Sequence, residues 1–143
     1  MITYPLSFTA NCQASSGIAS PWEAQASGKK VTCAIPVEFE GPGGGFSPED
    51  LYVLAVSNCF VATFKVIAEK SKLEFKSLSV EARLTVDRDE RGHPWMKACD
   101  LQVSIESTQN DRERVLRLLT KASESCLVAN SIKTKVSFEF NVN

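Results

Sequence analysis

Five cysteines and a single histidine are the residues of this 143-residue chain best suited to chemistry. The cysteines stand at positions 12, 33, 59, 99 and 126, so successive ones are 21, 26, 40 and 27 residues apart. No C-x-x-C pair occurs, and His93 falls in the turn-like stretch Arg91-Gly92-His93-Pro94. That pattern argues against a zinc site, which needs clustered thiolate and imidazole ligands. An odd count leaves at least one thiol free or paired between chains. A cysteine reacts as its thiolate, so it needs a helix N-terminus, a cation or a hydrogen-bond network to ionise near neutral pH. Oxidised by a peroxide, it becomes a sulfenic acid that a second thiol can capture as a disulfide. The question is which thiols the fold leaves able to do this.

Period-two alternation marks the strands. Ile2, Tyr4, Leu6, Phe8, Ala10 and Cys12 occupy every second position, as do Val31, Cys33, Ile35, Val37 and Phe39. Leu78 to Val86 and Val136 to Val142 repeat the pattern, and Trp95 to Ile105 follows it with one lapse at Lys97. Each reads as a half-buried strand. From Asp111 to Cys126 the period changes: Val115, Leu118, Leu119, Ala122 and Cys126 form one helical face, and Asn110 with Glu113 suits a capping box. A second helix opens at Ser47-Pro48-Glu49-Asp50, with an N-cap serine, proline at the first position and two acids in the positive first turn. It continues through Lys70, and its first half is apolar nearly all round, which predicts a helix buried between layers. The Gly41-Pro42-Gly43-Gly44-Gly45 stretch lacks the Lys-Ser/Thr pair of a phosphate loop and reads as a flexible connector. The order of elements predicts one α+β domain over residues 1–143, with a central buried helix and an amphipathic helix on one face of a largely antiparallel sheet.

This pattern sorts the cysteines. Cys12, Cys33 and Cys99 fall on apolar strand faces and read as small core hydrophobes. Cys59 and Cys126 lie on helices beside small or polar residues, in Ser57-Asn58-Cys59 and Ser123-Glu124-Ser125-Cys126. From the residues alone they are either core cysteines or a reactive pair.

Two stretches bear on that choice. Phe39-Glu40-Gly41, then Gly45-Phe46-Ser47-Pro48-Glu49-Asp50-Leu51, then Ser57-Asn58-Cys59-Phe60 resembles the first signature of the OsmC/Ohr family of osmotically inducible and organic-hydroperoxide-resistance proteins. The segment Ala122 to Ser131, a helix ending in Cys126, resembles the second. The resemblance implies a thiol-dependent peroxidase acting as an intertwined homodimer, with no bound cofactor or metal. Cys59 matches the peroxidatic cysteine, Cys126 the resolving cysteine, and Glu49 the glutamate that orders the site. The implied partners are an organic hydroperoxide, whose alkyl tail would meet Leu51, Tyr52, Phe60 and Phe64, and a dithiol reductant such as a lipoylated protein.

Two consequences follow. Glu49 and Cys59 are ten residues apart, about 15 Å along a straight helix. A shared site therefore predicts a break at Ser57-Asn58, leaving Cys59 at the start of a second helical segment. The family's arginine is also absent: Glu38 precedes Phe39-Glu40-Gly41, and no arginine occurs before Arg83. Lys29 and Lys30 lack the planar fork that holds a carboxylate bidentately, and Leu127 replaces the family's turn residue after the second cysteine. The alternative reading is accordingly a catalytically impaired or repurposed dimer that binds a small apolar ligand.

The net charge of -1 provides no footprint for nucleic acid. No apolar run is expected to reach the ~20 residues of a membrane span. MITYPLSFTANCQ has neither a basic n-region nor a small-residue cleavage site, so a cytoplasmic protein with reduced thiols is expected.

Overall fold

The computed structural model describes residues 1–108 and 111–143. They gather into two compact units, Met1–Leu51 and Tyr52–Asn143, where the sequence suggests one domain.

In the first unit, β1 (Ala10–Gln13), β2 (Trp22–Ala26) and β3 (Lys29–Cys33) form an antiparallel sheet in that order. β2 and β3 meet at a two-residue turn in which Ser27 and Gly28 both take positive φ, 52° and 73°, as a tight hairpin turn requires. The expected strand from Val31 to Phe39 stops at Cys33. Pro36 has no N–H for a ladder, and its carbonyl instead accepts from the Phe39 and Gly41 amides, at 3.0 and 2.9 Å, around a 3-10 turn over Val37–Phe39. The expected strand from Ile2 to Cys12 shrinks to β1. Residues 2–8 carry the apolar alternation but, among the described residues, pair with no strand, and Phe8 is 91 % exposed. Cys12, expected in the core, is exposed with the rest of β1. Nor is the glycine-rich stretch a loose connector. It folds back on β3, where Phe46 N–H donates to the Thr32 carbonyl and Ala34 N–H to the Phe46 carbonyl, at 2.9 and 3.0 Å. A Cβ at Gly45 would lie 3.0 Å from the Thr32 oxygen, and one at Gly41 would overlap the Ile35 carbonyl.

The long helix α1 (Pro48–Lys70) starts where the sequence places it. Ser47 and Asp50 cap it reciprocally: the Asp50 amide donates to Ser47 Oγ at 2.9 Å and the Ser47 amide to Asp50 Oδ2 at 3.0 Å. By length and composition α1 would reach across a bilayer, with a mean hydropathy of 1.8, contrary to expectation. Its Val56, Phe60, Phe64 and Ala68 stripe is instead packed in the core of the second unit. On the opposite side Leu54 and Val66 are exposed, where the sequence predicts burial between layers.

The second unit is built on β4 (Phe75–Arg88), β5 (Pro94–Ser107) and β6 (Lys135–Val142), with β5 central. β4 and β5 form an antiparallel hairpin closed by a turn at Asp89–Gly92, which leaves His93 exposed. β6 runs parallel to β5, which requires a crossover. That crossover is α2 (Arg112–Glu124) and the short α3 (Leu127–Asn130). Asp111 caps α2 by accepting from the Arg114 amide at 3.0 Å, while the expected cap residue, Asn110, lies outside the described residues. Val115, Leu119 and Ala122 of α2 and the α1 stripe bury against Cys99, Leu101, Val103 and Ile105 of β5, and the inward residues of β4 and β6 pack around them. Two helices on one face of a sheet is the predicted α+β arrangement.

Candidate active site

α1 carries Cys59 and Phe60 side by side with different fates. Phe60 points into the core, 5.3 Å from the Phe138 ring, and Phe64 packs 5.4 Å from Phe75. Both phenylalanines, expected among the apolar walls that meet the alkyl tail around Cys59, are fully buried in the chain, where their rings fill the core. Cys59, about 100° further round the helix, is half-buried at the rim of that core. Tyr52, two turns earlier on the same side as Cys59, has its hydroxyl 2.5 Å from Thr134 Oγ1, tying α1 to the segment leading into β6. Leu51 is exposed.

The helix does not break before Cys59. It is continuous from Pro48 to Lys70, and the Ser57 hydroxyl folds back onto the Val53 and Leu54 carbonyls at 3.0 and 3.2 Å instead of interrupting the turn. Cys59 therefore has no helix N-terminus of its own. Glu49, in the first turn, lies about 15 Å away along the axis.

Cys126 comes to Cys59 from the other side of the unit. The chain leaves α2 at Glu124 and adopts an extended conformation at Cys126, φ −69° and ψ 107°, before re-entering a helical turn at Leu127. The turn is fastened by the Asn130 amide donating to the Cys126 carbonyl at 3.0 Å and the Asn130 side chain donating to the Glu124 carbonyl at 2.9 Å. Val128 is in the first turn of α3, where an N–H has no partner within its own helix. It donates to Cys59 Sγ at 3.4 Å. Thr63 Oγ1, one helical turn beyond Cys59, lies 4.0 Å from the same sulfur.

The two thiols are neighbours, Cys59 being among the groups that raise the Cys126 thiol. Burial is the main cause that pushes the Cys126 thiol up to about 11, and the adjacent Cys59 adds to it, while the Ala129 and Val128 amides pull the other way. Cys126 is thus held as a protonated thiol against the half-exposed Cys59. Cys33 and Cys99 are also raised by burial, and both are core residues as expected. All five cysteines are free. Of the residues singled out from sequence, the structure brings Cys59 and Cys126 together. Sequence reading missed the Val128 amide and Thr63. The i+4 spacing of Thr63 from Cys59 was the available signal for one, and a backbone donor leaves none for the other.

Fold and site define an α+β protein whose central helix presents one cysteine to a second, buried cysteine at a helix corner. The chain belongs to the OsmC-like protein family, whose model matches residues 41–141. It is 26 % identical over 121 residues to the uncharacterised protein YmaD of Bacillus subtilis, covering 82 % of this chain and 81 % of that one. Solved structures share the fold. An OsmC-like protein of Vibrio cholerae superposes with a TM-score of 0.83 at 18 % identity, over 95 % of this chain and 99 % of that chain. The organic hydroperoxide resistance protein OsmC of Legionella pneumophila gives 0.76 at 21 %, over 99 % of each. OhrB of Bacillus subtilis, an organic hydroperoxide resistance protein, gives 0.68 at 21 %, over 95 % and 98 %.

Proposed function

We propose that the protein is a thiol-dependent peroxidase of organic hydroperoxides, with Cys59 as the attacking thiol and Cys126 as the resolving one. The observation that carries this reading is a half-exposed Cys59 whose sulfur accepts from the Val128 amide, in the corner that carries the buried, protonated Cys126. The Cys59 thiolate attacks one peroxide oxygen, the O–O bond breaks, and the alkoxide leaves as the alcohol after taking a proton. Cys59 is then a sulfenic acid. The Cys126 sulfur displaces its hydroxyl, forming the disulfide and releasing water. An external dithiol restores both thiols by becoming a disulfide itself. Disulfide closure needs the Cβ atoms at about 3.5–4.5 Å. Leu51 and Tyr52 remain the proposed contacts of the alkyl tail, and Glu49 an ordering residue supplied across a homodimer. Such a dimer, in the cytoplasm, is part of the reading. The exposed apolar residues of segment 2–8 and, separately, of the outer side of α1 support it.

The test is a thiol count on the reduced protein before and after cumene hydroperoxide, in wild type and Cys59→Ser. Wild type should lose two thiols per chain and the variant none at Cys126. A second reading, a dimer that binds a small apolar ligand without turnover, is favoured by the uncharged character of the groups at the Cys59 sulfur. It expects no Cys59-dependent loss.

A further inference from the structure

Among the described residues the hydrogen-bond partners of the Cys59 sulfur, the Val128 amide and the Thr63 hydroxyl, are uncharged, as is the neighbouring protonated Cys126 thiol. A thiolate in a partly buried position is disfavoured unless donors or positive charge compensate for the lost water. Cys59 is in mid-helix, so its own helix N-terminus does not help. What remains is hydrogen bonding. The Val128 N–H is fixed by the α3 turn and is already aimed at the sulfur. Thr63 sits one turn along, where i and i+4 side chains share a helix face. Its hydroxyl can donate or accept, and only as a donor does it favour the anion. The titratable group that the structure sets beside Cys59 is Cys126, from the corner between α2 and α3. Tyr52, on the Cys59 side of α1, has its hydroxyl engaged with Thr134.

We propose that Thr63 is a positioning residue of the site: its hydroxyl donates to the Cys59 sulfur and, with the Val128 amide, supports the negative charge that the sulfur carries when it reacts. The inference rests on Cys59 being the reacting thiol. It names a group outside both sequence signatures. A hydrogen bond to sulfur at 4.0 Å is weak in the neutral state and strengthens as the charge develops.

The experiment follows the pH dependence of Cys59 carbamidomethylation by iodoacetamide, read at the Cys59 peptide by mass spectrometry. It compares the native chain with Thr63→Val, which keeps the shape and removes the donor, and Thr63→Ser, which restores a hydroxyl. Thr63→Val should move the midpoint of the profile up by about 0.5–1 pH unit and slow alkylation at pH 7 about three- to tenfold. Thr63→Ser should bring the profile back. A Thr63→Val profile overlying the native one, or a Thr63→Ser profile that stays with Thr63→Val, overturns the proposal. Equal melting temperatures for the three proteins exclude a general loosening. No peroxide enters this measurement, so a native chain that fails the cumene hydroperoxide test would refute the peroxidase reading while leaving the role of Thr63 to be read independently.

Discussion

The backbone N–H of Val128 donates to the sulfur of Cys59 at 3.4 Å, joining residues 69 positions apart. That single contact fixes the α3 turn against the middle of α1 and brings Cys126, two residues earlier, against the same sulfur. The site is thus made by the corner at which α2 ends. If Cys126 continued α2 as a helical residue, its sulfur and the Val128 amide would follow the α2 axis instead of turning to Cys59.

Peroxide should link the two. After cumene hydroperoxide treatment, peptide mapping without reduction is expected to show Cys59 joined to Cys126, two hydrogens lighter than the separate peptides. In Cys126→Ser the Cys59 sulfenic acid has no partner, so dimedone should label Cys59, and excess peroxide should drive it to the sulfinic acid. Recovery of Cys59 linked chiefly to Cys12 would contradict the pairing.

Native thiols should divide by exposure. Reduced protein treated with a water-soluble aromatic disulfide is expected to lose Cys12 first, because it lies on an exposed strand. Cys33, Cys99 and Cys126 should wait for unfolding, since all three are buried and raised by that burial. Cys12→Ser should remove the fast phase and leave Cys59-dependent peroxide consumption unchanged. This order also marks where sequence reading succeeds. Alternation in Leu78–Val86, Trp95–Ile105 and Val136–Val142 gave β4, β5 and β6 because α1 and α2 cover the face that it predicts. The same alternation in Ile2–Cys12 misplaced Cys12, because period two identifies a face and not what covers it. Cys59 was legible as a helical cysteine, whereas Cys126, expected at the end of the helix from Asp111, lies beyond α2 in an extended conformation. Their meeting was not, since it depends on one extended residue at Cys126 and on a backbone donor at Val128.

Phe60 belongs to the core and not to substrate. Phe60→Ala should cost about 3–5 kcal/mol of unfolding free energy, because it empties space beside Phe138, Phe64 and Phe140. Chemical denaturation with urea checks this. A loss below 1 kcal/mol would mean that the ring is not enclosed as described.

Tyr52 and Thr134 should matter to stability through one hydrogen bond. Thr134 is buried, so Tyr52→Phe leaves its hydroxyl without this partner, at a cost of about 1–3 kcal/mol. Thr134→Val in the same background should recover part of the loss, since no buried polar group then remains unpaired. A double-mutant cycle measures this directly, and strict additivity would contradict the contact.

Alkaline pH should weaken the fold in a window set by the buried thiols. Cys126 is raised from an ordinary thiol value of 9.0 to about 11, chiefly by burial, and burial raises Cys33 and Cys99 in the same direction. The folded chain then binds more protons than the unfolded chain between those values. Stability falls as pH rises wherever the native state holds the extra proton. The contribution of Cys126 is therefore complete below about pH 9 and lost as pH climbs through about 11. Urea midpoints taken from pH 8 to 11 should decline steadily under reducing conditions. Cys126→Ser, whose hydroxyl does not ionise in that range, should show a shallower decline, with Cys33 and Cys99 supplying what remains. Equal slopes in the two proteins would mean that Cys126 is not the protonated, buried member of the pair.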